Sequence, residues 1–478
     1  MKKGKIFIMC FLVLFLTLIT IAPALWAEEQ YRFTFKEVES AKALLNDPKP
    51  LWKNLTHKNM LPPDVYAKLT YDEEKMKALW AELVGFRAPD LVGKIAPEIK
   101  PGTYTYKDKE KYPFKELMIP EIYNRFNPGG TPFGCNFPEI KVVPTRQYYW
   151  ALPIAEATKK YMGRTKLNDQ GYIIWDSYVA GYPFPKPSGK LMAQEIMYNW
   201  EKRYYQGESA YGFGQFIGIT KGLSIDSKMA AELWRLRLTG RVMMQPYGWY
   251  DKRSEEKHES YADIYKFLSP RDMAGSAMMS LNYVDPEHLD LAMIYIGVLR
   301  RVRQMSTSDT QDTVAGQDNI YDDRDGFAQK INPKVFPYKY ELIGEREYLV
   351  PFATTEGAGY VSTEKMEARN YEFERRPTYV LKLTQLDRNY VYGQRILYID
   401  KETFNLYFVE NYDQKGRLYR TALPISAFFP EMGIFTQFDW MFRDHLDLHT
   451  TFGRATMMQA PWLTRDEISL KGLLEKGK

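Results

Sequence analysis

The 478-residue chain carries 65 Lys and Arg against 60 Asp and Glu, with 45% hydrophobic and 15% aromatic residues. Lys2, Lys3 and Lys5 supply much of the formal net charge of +5, so the rest is close to neutral and offers no bulk attraction for nucleic acid. Cys10 and Cys135 fall on either side of an expected cleavage point, which excludes an intramolecular disulfide, CxxC redox chemistry and cysteine-held zinc in the exported body.

Residues 1–27 read as a Sec-type signal peptide: a basic start, an apolar run from Ile6 to Trp26, and small residues at Ala22, Ala24 and Ala27 before Glu28-Glu29. An uncleaved anchor is the competing reading, and Thr17, Thr20 and Pro23 stand against it. Cys10 lies too early in the apolar run to be an acylated lipoprotein cysteine. A periplasmic body without a lipid anchor, monomeric, is the expectation.

Residues 28–207 read as a helical and irregular region. Thr70 and Glu73 form a T-x-x-E capping box, Met76, Leu79, Trp80 and Leu83 follow at helical spacing, and Gly85 ends the helix. Pro153 opens a shorter helix between Pro144 and Gly163. A further helix starts near Ser188, places Ala193, Ile196, Met197, Trp200 and Tyr204 on one face, and stops at Gly207. Pro120 to Pro138 and Gly181 to Gly189 are rich in Pro, Gly and aromatics and read as ordered loops.

Residues 208–478 read as a β domain joined to the preceding region without a Gly/Ser linker. Strands are expected at Gly212 to Thr220, Glu232 to Met244, Ser276 to Tyr283, Leu291 to Arg303 and Tyr338 to Val350. Four more fill Arg375 to Arg420, where Thr378, Val380, Lys382 and Thr384 alternate with Tyr379, Leu381 and Leu383. Phe404, Leu406 and Phe408 are expected on one face, Tyr407 and Val409 on the other, and Asp400 to Thr403 reads as a polar turn. Strands without interleaved helices give an α+β fold with one large curved antiparallel sheet, an incomplete β-barrel.

Ser306 to Lys330 is a long polar loop holding Asp309, Asp312, Asp318, Asp322, Asp323 and Asp325. Calcium is a poor fit, because an EF-hand needs an oxygen ligand where Tyr321 stands and a bidentate acid where Asn332 stands. A solvated loop whose aspartates cap turns or pair with arginines is the better reading, with Arg300, Arg301 and Arg303 nearby. His445 and His449 could share a metal if helical, yet no catalytic glutamate or third ligand accompanies them. No nucleophile elbow, phosphate loop or dinucleotide fingerprint is present, so neither an enzyme nor a cofactor is nominated.

Several segments together resemble the exported bacterial family known as "domain of unknown function 1329", whose fold is similar to the lipoprotein carrier LolA and the outer-membrane receptor LolB. They are Gly181-Tyr182-Pro183-Phe184-Pro185 with Tyr198-Asn199-Trp200; Ser269-Pro270-Arg271 with Gly275; Arg300-Arg301-Val302-Arg303; Asp322-Asp323 with Phe327; Leu342-Ile343-Gly344 with Glu347 and Val350-Pro351; and Arg375-Arg376 through Tyr398-Ile399-Asp400 to Tyr412-Asp413. The resemblance implies a curved sheet whose concave face, covered by helices and loops, holds acyl chains or hydrophobic segments in relatives of that fold. No residue role is carried over.

The expected function is a non-enzymatic periplasmic carrier or holder of a hydrophobic ligand such as a lipid, an acylated protein or an apolar small molecule. Tyr379, Leu381, Leu383, Tyr398, Phe404, Leu406 and Phe408 are the candidate cavity residues. Arg300, Arg301 and Arg303 are candidates for contact with a headgroup or partner. The alternative is an envelope interaction protein of a membrane transporter or outer-membrane complex that takes no small ligand.

Overall fold

Strands that are apolar on both faces need cover on both sides, and the arrangement of this chain reflects that need. The computed structural model describes residues 57–129, 132–306, 309–314, 316–354, 359–362 and 364–477. The signal-peptide pattern at 1–27 lies outside the described residues.

Five helices take part in covering the sheet: α1 (Glu73–Val84), α2 (Pro120–Arg125), α3 (Leu152–Tyr161), α4 (Met192–Glu201) and α5 (Leu470–Lys476). The strands are β1 (Gly102–Thr105), β2 (Glu139–Val142), β3 (Ser209–Ile219), β4 (Ile225–Arg237), β5 (Glu259–Ser269), β6 (Ala277–Tyr283), β7 (Leu291–Ile296), β8 (Arg301–Gln304) and β9 (Tyr338–Val350). They continue as β10 (Ala353–Thr354), β11 (Tyr360–Ser362), β12 (Glu367–Arg369), β13 (Glu372–Gln385), β14 (Gln394–Asp400), β15 (Leu406–Tyr412), β16 (Leu418–Phe429), β17 (Ile434–Asp444) and β18 (His449–Gln459).

Two meanders, β3 to β8 and β13 to β18, are joined where β18 pairs with β3, giving one 16-stranded sheet. β9 lines the outer side of β13, and the sheet is not closed into a barrel, since β8 stands at the far end of the order. All pairings in it are antiparallel except the short ones of β2 with β13 and β10 with β16. β1 and β2 come from the region expected to be helical and irregular, so that region contributes strands as well as cover. No helix among the described residues is long and apolar enough to cross a membrane.

The differences from the sequence reading have local causes. Asp72, not Thr70, caps α1 by accepting from the Lys75 N–H, because the Thr70 hydroxyl is turned back to the Ala67 carbonyl. Met76, Trp80 and Leu83 are buried and Gly85 closes the helix in the left-handed region, as the spacing requires. Pro120–Arg125 is a helix within an expected loop, and α4 stops at Glu201, short of Gly207. The expected strand Leu291 to Arg303 is divided by a turn after Ile296, where Arg300 has φ 52°. β5, β17 and β18 escape the sequence reading. In β17 and β18 the apolar alternation is broken by charges that pair across strands, Arg454 with Asp439 at 2.7 Å and Arg420 of β16 with Asp444 at 3.0 Å.

The two sheet faces are filled by different parts of the chain. On the β3–β7 side, Trp234, Leu236, Ile264, Met279 and Leu281 pack beneath Leu463, Ile468 and Leu473 of the C-terminal segment. The larger core gathers α1, α3, α4 and the aromatic set Trp80, Trp150, Tyr182 and Phe435 around β9 and β13 to β17.

A buried charge cluster ties these layers together. Arg376 is fully buried; its Nε donates to Asp400 at 2.7 Å and one Nη donates to Glu402 at 2.9 Å. Glu402 also accepts from the Ala88 N–H at 2.7 Å and the Tyr148 N–H at 2.9 Å, while the Trp80 indole donates to its carbonyl at 2.7 Å. The supposed solvent turn Asp400–Thr403 is therefore an interior hub. Burial penalises the Arg376 charge, but Asp400, Glu402 and Glu374 outweigh it and hold the guanidinium charged, whereas burial pushes Glu402 up to about 7.

Arg376→Met would leave Asp400 and Glu402 buried without a counter-charge. The expected cost is about 3–5 kcal/mol, read as a large fall in the denaturant midpoint; a midpoint within experimental error of the parent would show that the cluster is not a structural hub.

Candidate functional site

Strand parity decides which of the sequence-nominated side chains can meet. Tyr379, Leu381 and Leu383 oppose Ile399, Leu397 and Arg395, and so share one face of the sheet. In β15 a bulge sets Ile399 opposite Leu406 and Tyr398 opposite Phe408, leaving Tyr407 as the extra residue. Leu406 and Phe408 therefore point to opposite faces, contrary to simple alternation. Phe404 precedes the strand in the left-handed region at φ 61°.

All seven side chains are buried against protein. Leu406 packs on Gly326, whose φ of 90° and whose missing Cβ, which would lie 2.8 Å from the leucine, make glycine the residue that fits there. Phe404 stacks on Tyr182 at 5.8 Å, and Phe408 lies between Tyr398 and the Arg125 guanidinium. The motif segments noted in the sequence supply this cover. Asn199 of α4 grips Phe184 through both its N–H and its carbonyl, and the Trp200 indole donates to the Phe327 carbonyl at 2.9 Å.

An apolar hollow lies instead over the β3–β6 and β17 part of the sheet. Its wall is built from cross-strand rows: Leu233 opposite Tyr265, which is opposite Met278; and Trp440 opposite Gly453, which is opposite Phe216, which is opposite Met229. Gly453 is the gap that lets the Phe216 ring lie across the strand, since a Cβ there would come within 2.4 Å of it. Ala231, Phe267 and Phe442 complete the wall, and Val314, Gln317, Asn319 and Tyr321 form the opposite side. This trough encloses about 80 Å³. A neighbouring hollow of about 230 Å³ shares Phe267, Met278, Val314 and Tyr321 and adds Ile294, Ile296, Met305 and Arg303, extending the apolar surface to the β8 edge.

The acidic loop covers the trough, and Asp318, Asp322, Asp323 and Asp325 are buried, not solvated. Their partners are remote in sequence. Asp323 meets Arg395 at 2.7 Å and the Tyr392 hydroxyl at 2.7 Å; Asp322 accepts from Tyr390 at 2.6 Å; Asp325 meets Arg203 at 2.9 Å. Asp318 accepts from the Thr451 hydroxyl at 2.8 Å and pairs with His449 at 2.7 Å. The segment is thus fastened across the sheet by charge-assisted hydrogen bonds.

The two histidines considered as a possible metal pair are separated by conformation. His449 opens β18, and its bond to Asp318, with Asp318 and Asp226 charges nearby, raises it to about 9 against the opposing effect of burial. His445 lies in the preceding turn beside Glu121 and Phe133, and burial lowers it to about 4. Among the described residues, no group of three or more His, Cys, Asp or Glu is placed to hold a metal ion. Cys135 is buried, and burial raises its thiol to about 12.

Arg300 and Arg301 are exposed at the β7–β8 turn beside Val298 and Leu299, which are 76% and 61% exposed; Arg303 contributes to the outer hollow. The trough residues of β4 to β6 escape the sequence reading. Their signal is an apolar set on both parities, with Met229, Ala231 and Leu233 on one face of β4 and Ala230, Trp234 and Leu236 on the other.

A family model described as protein of unknown function (DUF1329) matches residues 135–470. The chain is 22% identical over 325 residues to the uncharacterized protein PA3922 of Pseudomonas aeruginosa, covering 64% of this chain and 66% of that relative, just under two thirds of its length. Among solved structures, it is similar to a DUF1329 family protein from Desulfovibrio piger, with 15% identity and TM-score 0.40 over 56% of this chain and 91% of that one. A LolA superfamily protein from Nitrosomonas europaea matches at 14% identity and TM-score 0.34, over 55% of this chain and 90% of that one.

The hold of the acidic loop should weaken as pH rises. Burial pushes Asp322 up to about 6 and its bond to Asp318 lifts His449 to about 9, so each contributes stability present below its unfolded pKa and lost as pH passes those values. Amide exchange across 316–326 between pH 5 and 10 should show protection falling in both ranges, with His449→Gln removing the upper step; a pH-independent profile would contradict the assignment.

Proposed function

The chain belongs to the DUF1329 family, and from that premise we propose that it is a periplasmic, non-enzymatic holder of a hydrophobic ligand, seated in the trough over β3–β6 and β17. The observation that carries the reading is a two-sided sheet with unequal cover. One face of β3–β7 is sealed by the C-terminal segment, while on the other Phe216, Met229, Phe267, Met278 and Trp440 border a hollow. Apolar burial yields about 25 cal/mol per Å², so such a wall favours an acyl chain or another apolar group without any charged contact. In this reading β13–β15, with Tyr379, Leu381 and Leu383, is the scaffold behind the loop that closes the trough. The export pattern of residues 1–27 supports the compartment.

The neutral fluorophore N-phenyl-1-naphthylamine and mass spectrometry of organic extracts test the reading together. Ala231→Trp, which fills the trough, should weaken fluorophore binding at least about tenfold, or 1.4 kcal/mol. Leu381→Ala should lower stability by about 2–5 kcal/mol and leave the affinity of the folded protein unchanged. Undiminished binding by Ala231→Trp, with no lipid extracted from the parent, would sink the proposal.

A second reading, an interaction protein working beside a membrane transporter or outer-membrane complex, is favoured by the exposed Val298 and Leu299 next to Arg300 and Arg301. It predicts that Arg300→Glu with Arg301→Glu abolishes recovery of a membrane complex while fluorophore binding persists; equal recovery from parent and variant would count against it.

A further inference from the structure

We infer that Arg324 is the head-group site of the trough, and that the ligand class is a single-tailed amphiphile bearing one carboxylate. The inference rests on the trough reading and adds the chemistry of the ligand's polar end.

Arg324 stands where three hollows meet: the apolar trough, a small polar hollow lined by Arg203 and Asp325, and a wider groove along β6 and β7. The charges around it do not balance. Among the described residues, Arg203, Arg235 and Arg324 face only Asp263 and Asp325. Arg235 donates to Asp263 at 2.6 Å, and Arg203 donates to Asp325 at 2.9 Å. Arg324 reaches Asp263 only at 3.6 Å, and its hydrogen bond to the Tyr321 hydroxyl is long, at 3.5 Å. Its Nε, like that of Arg203 in the same small hollow, is buried without an acceptor among the described residues, but Arg203 already has a short ion pair to Asp325 and Arg324 has none. The other charges lining the small hollow are already paired, Lys330 with Asp290 at 3.0 Å and Glu201 with Lys202 at 2.7 Å. Within ion-pair distance, three guanidiniums thus share two carboxylates at the end of an apolar trough, while Asp322, which lines the wider groove with Arg324, is engaged by Tyr390, Thr310 and Gln329.

A guanidinium with a spare N–H presents the planar fork that carboxylates accept. The small polar hollow encloses about 20 Å³, room for about one water-sized group and too small for a glycerophosphate, so one oxygen of a carboxylate would sit there with the rest of the group in the wider groove that Arg324 also lines. The turn Tyr321–Gly326 leaves its helical course at Arg324, which is extended, and Asp325 follows in the left-handed region at φ 58°. Tyr265 and Tyr321 flank the guanidinium at 5.5 and 4.9 Å from their ring centres, walls that continue into the apolar lining.

The test compares cis-parinaric acid with its methyl ester, which carry the same tail, by fluorescence titration of the purified protein at pH 8. The acid should bind at least about tenfold tighter than the ester. Arg324→Gln should bring that ratio to about one while preserving ester binding, and Arg324→Lys should restore part of the preference. A ratio near one in the parent protein, or a ratio unchanged in Arg324→Gln, overturns the head-group site and leaves the trough standing. Failure of both acid and ester to bind the parent overturns the trough reading as well. The parent ratio needs no variant, so a folding defect in Arg324→Gln does not protect the inference.

Discussion

A guanidinium removed from water must be met by carboxylates and carbonyls on every side, and Arg376 imposes that condition on three layers of this protein at once. Asp400 comes from the end of β14, Glu402 from the turn after it, and the Arg146 carbonyl from the segment leading to α3, at 2.7 Å. Because Glu402 then takes the Ala88 and Tyr148 amides, the N-terminal helices are positioned by the same group that neutralises the arginine. Arg375 extends the arrangement to the other face, with Glu347 at 2.7 Å and the carbonyls of Ala96 and Ile99. Removing one partner from such a set costs far more than the pair contributes in isolation.

The second constraint is geometric. An open sheet built of strands apolar on both faces must find cover for each face separately, and this chain uses separate segments to do so. The C-terminal segment seals one side of β3–β7 by direct packing. The opposite side receives the acidic loop, which is held chiefly by ion pairs and tyrosine hydrogen bonds to the sheet. Those bonds fix the loop at its polar anchor points without filling the space over Met229, Phe267 and Met278. A hollow left by polar fastening is different from a packing defect, because its walls are set by cross-strand rows that would exist with or without an occupant.

Much of the architecture is legible in the sequence. β9 has the expected bounds, α1 buries the expected stripe, and the large sheet with little interleaved helix agrees with the strand pattern. Where the reading departs from the structure, a tertiary interaction has overridden a local rule. β17 and β18 hide because Asp439 and Arg454 neutralise one another across the ladder, so their charges do not mean solvent. The polar turn Asp400–Thr403 is interior for the same reason. The candidate cavity residues Leu406 and Phe408 divide between two faces because one bulge residue, Tyr407, shifts the parity. The Met and aromatic rows of β4 to β6 are visible as apolar residues, yet nothing in their spacing distinguishes a trough wall from a core.

Composition and short-range pattern were enough to set the export-type pattern of residues 1–27, the single cysteine beyond it, the strand content and the family resemblance, because each depends on residue counts or on residues close together in the chain. Which face of the sheet is filled was settled only when the strands and their cover came together. That outcome depends on a bulge that exchanges sides, on aspartates such as Asp323, which reaches across 72 residues to Arg395, and on a C-terminal segment folding back over β3–β7, none of which is encoded at short range.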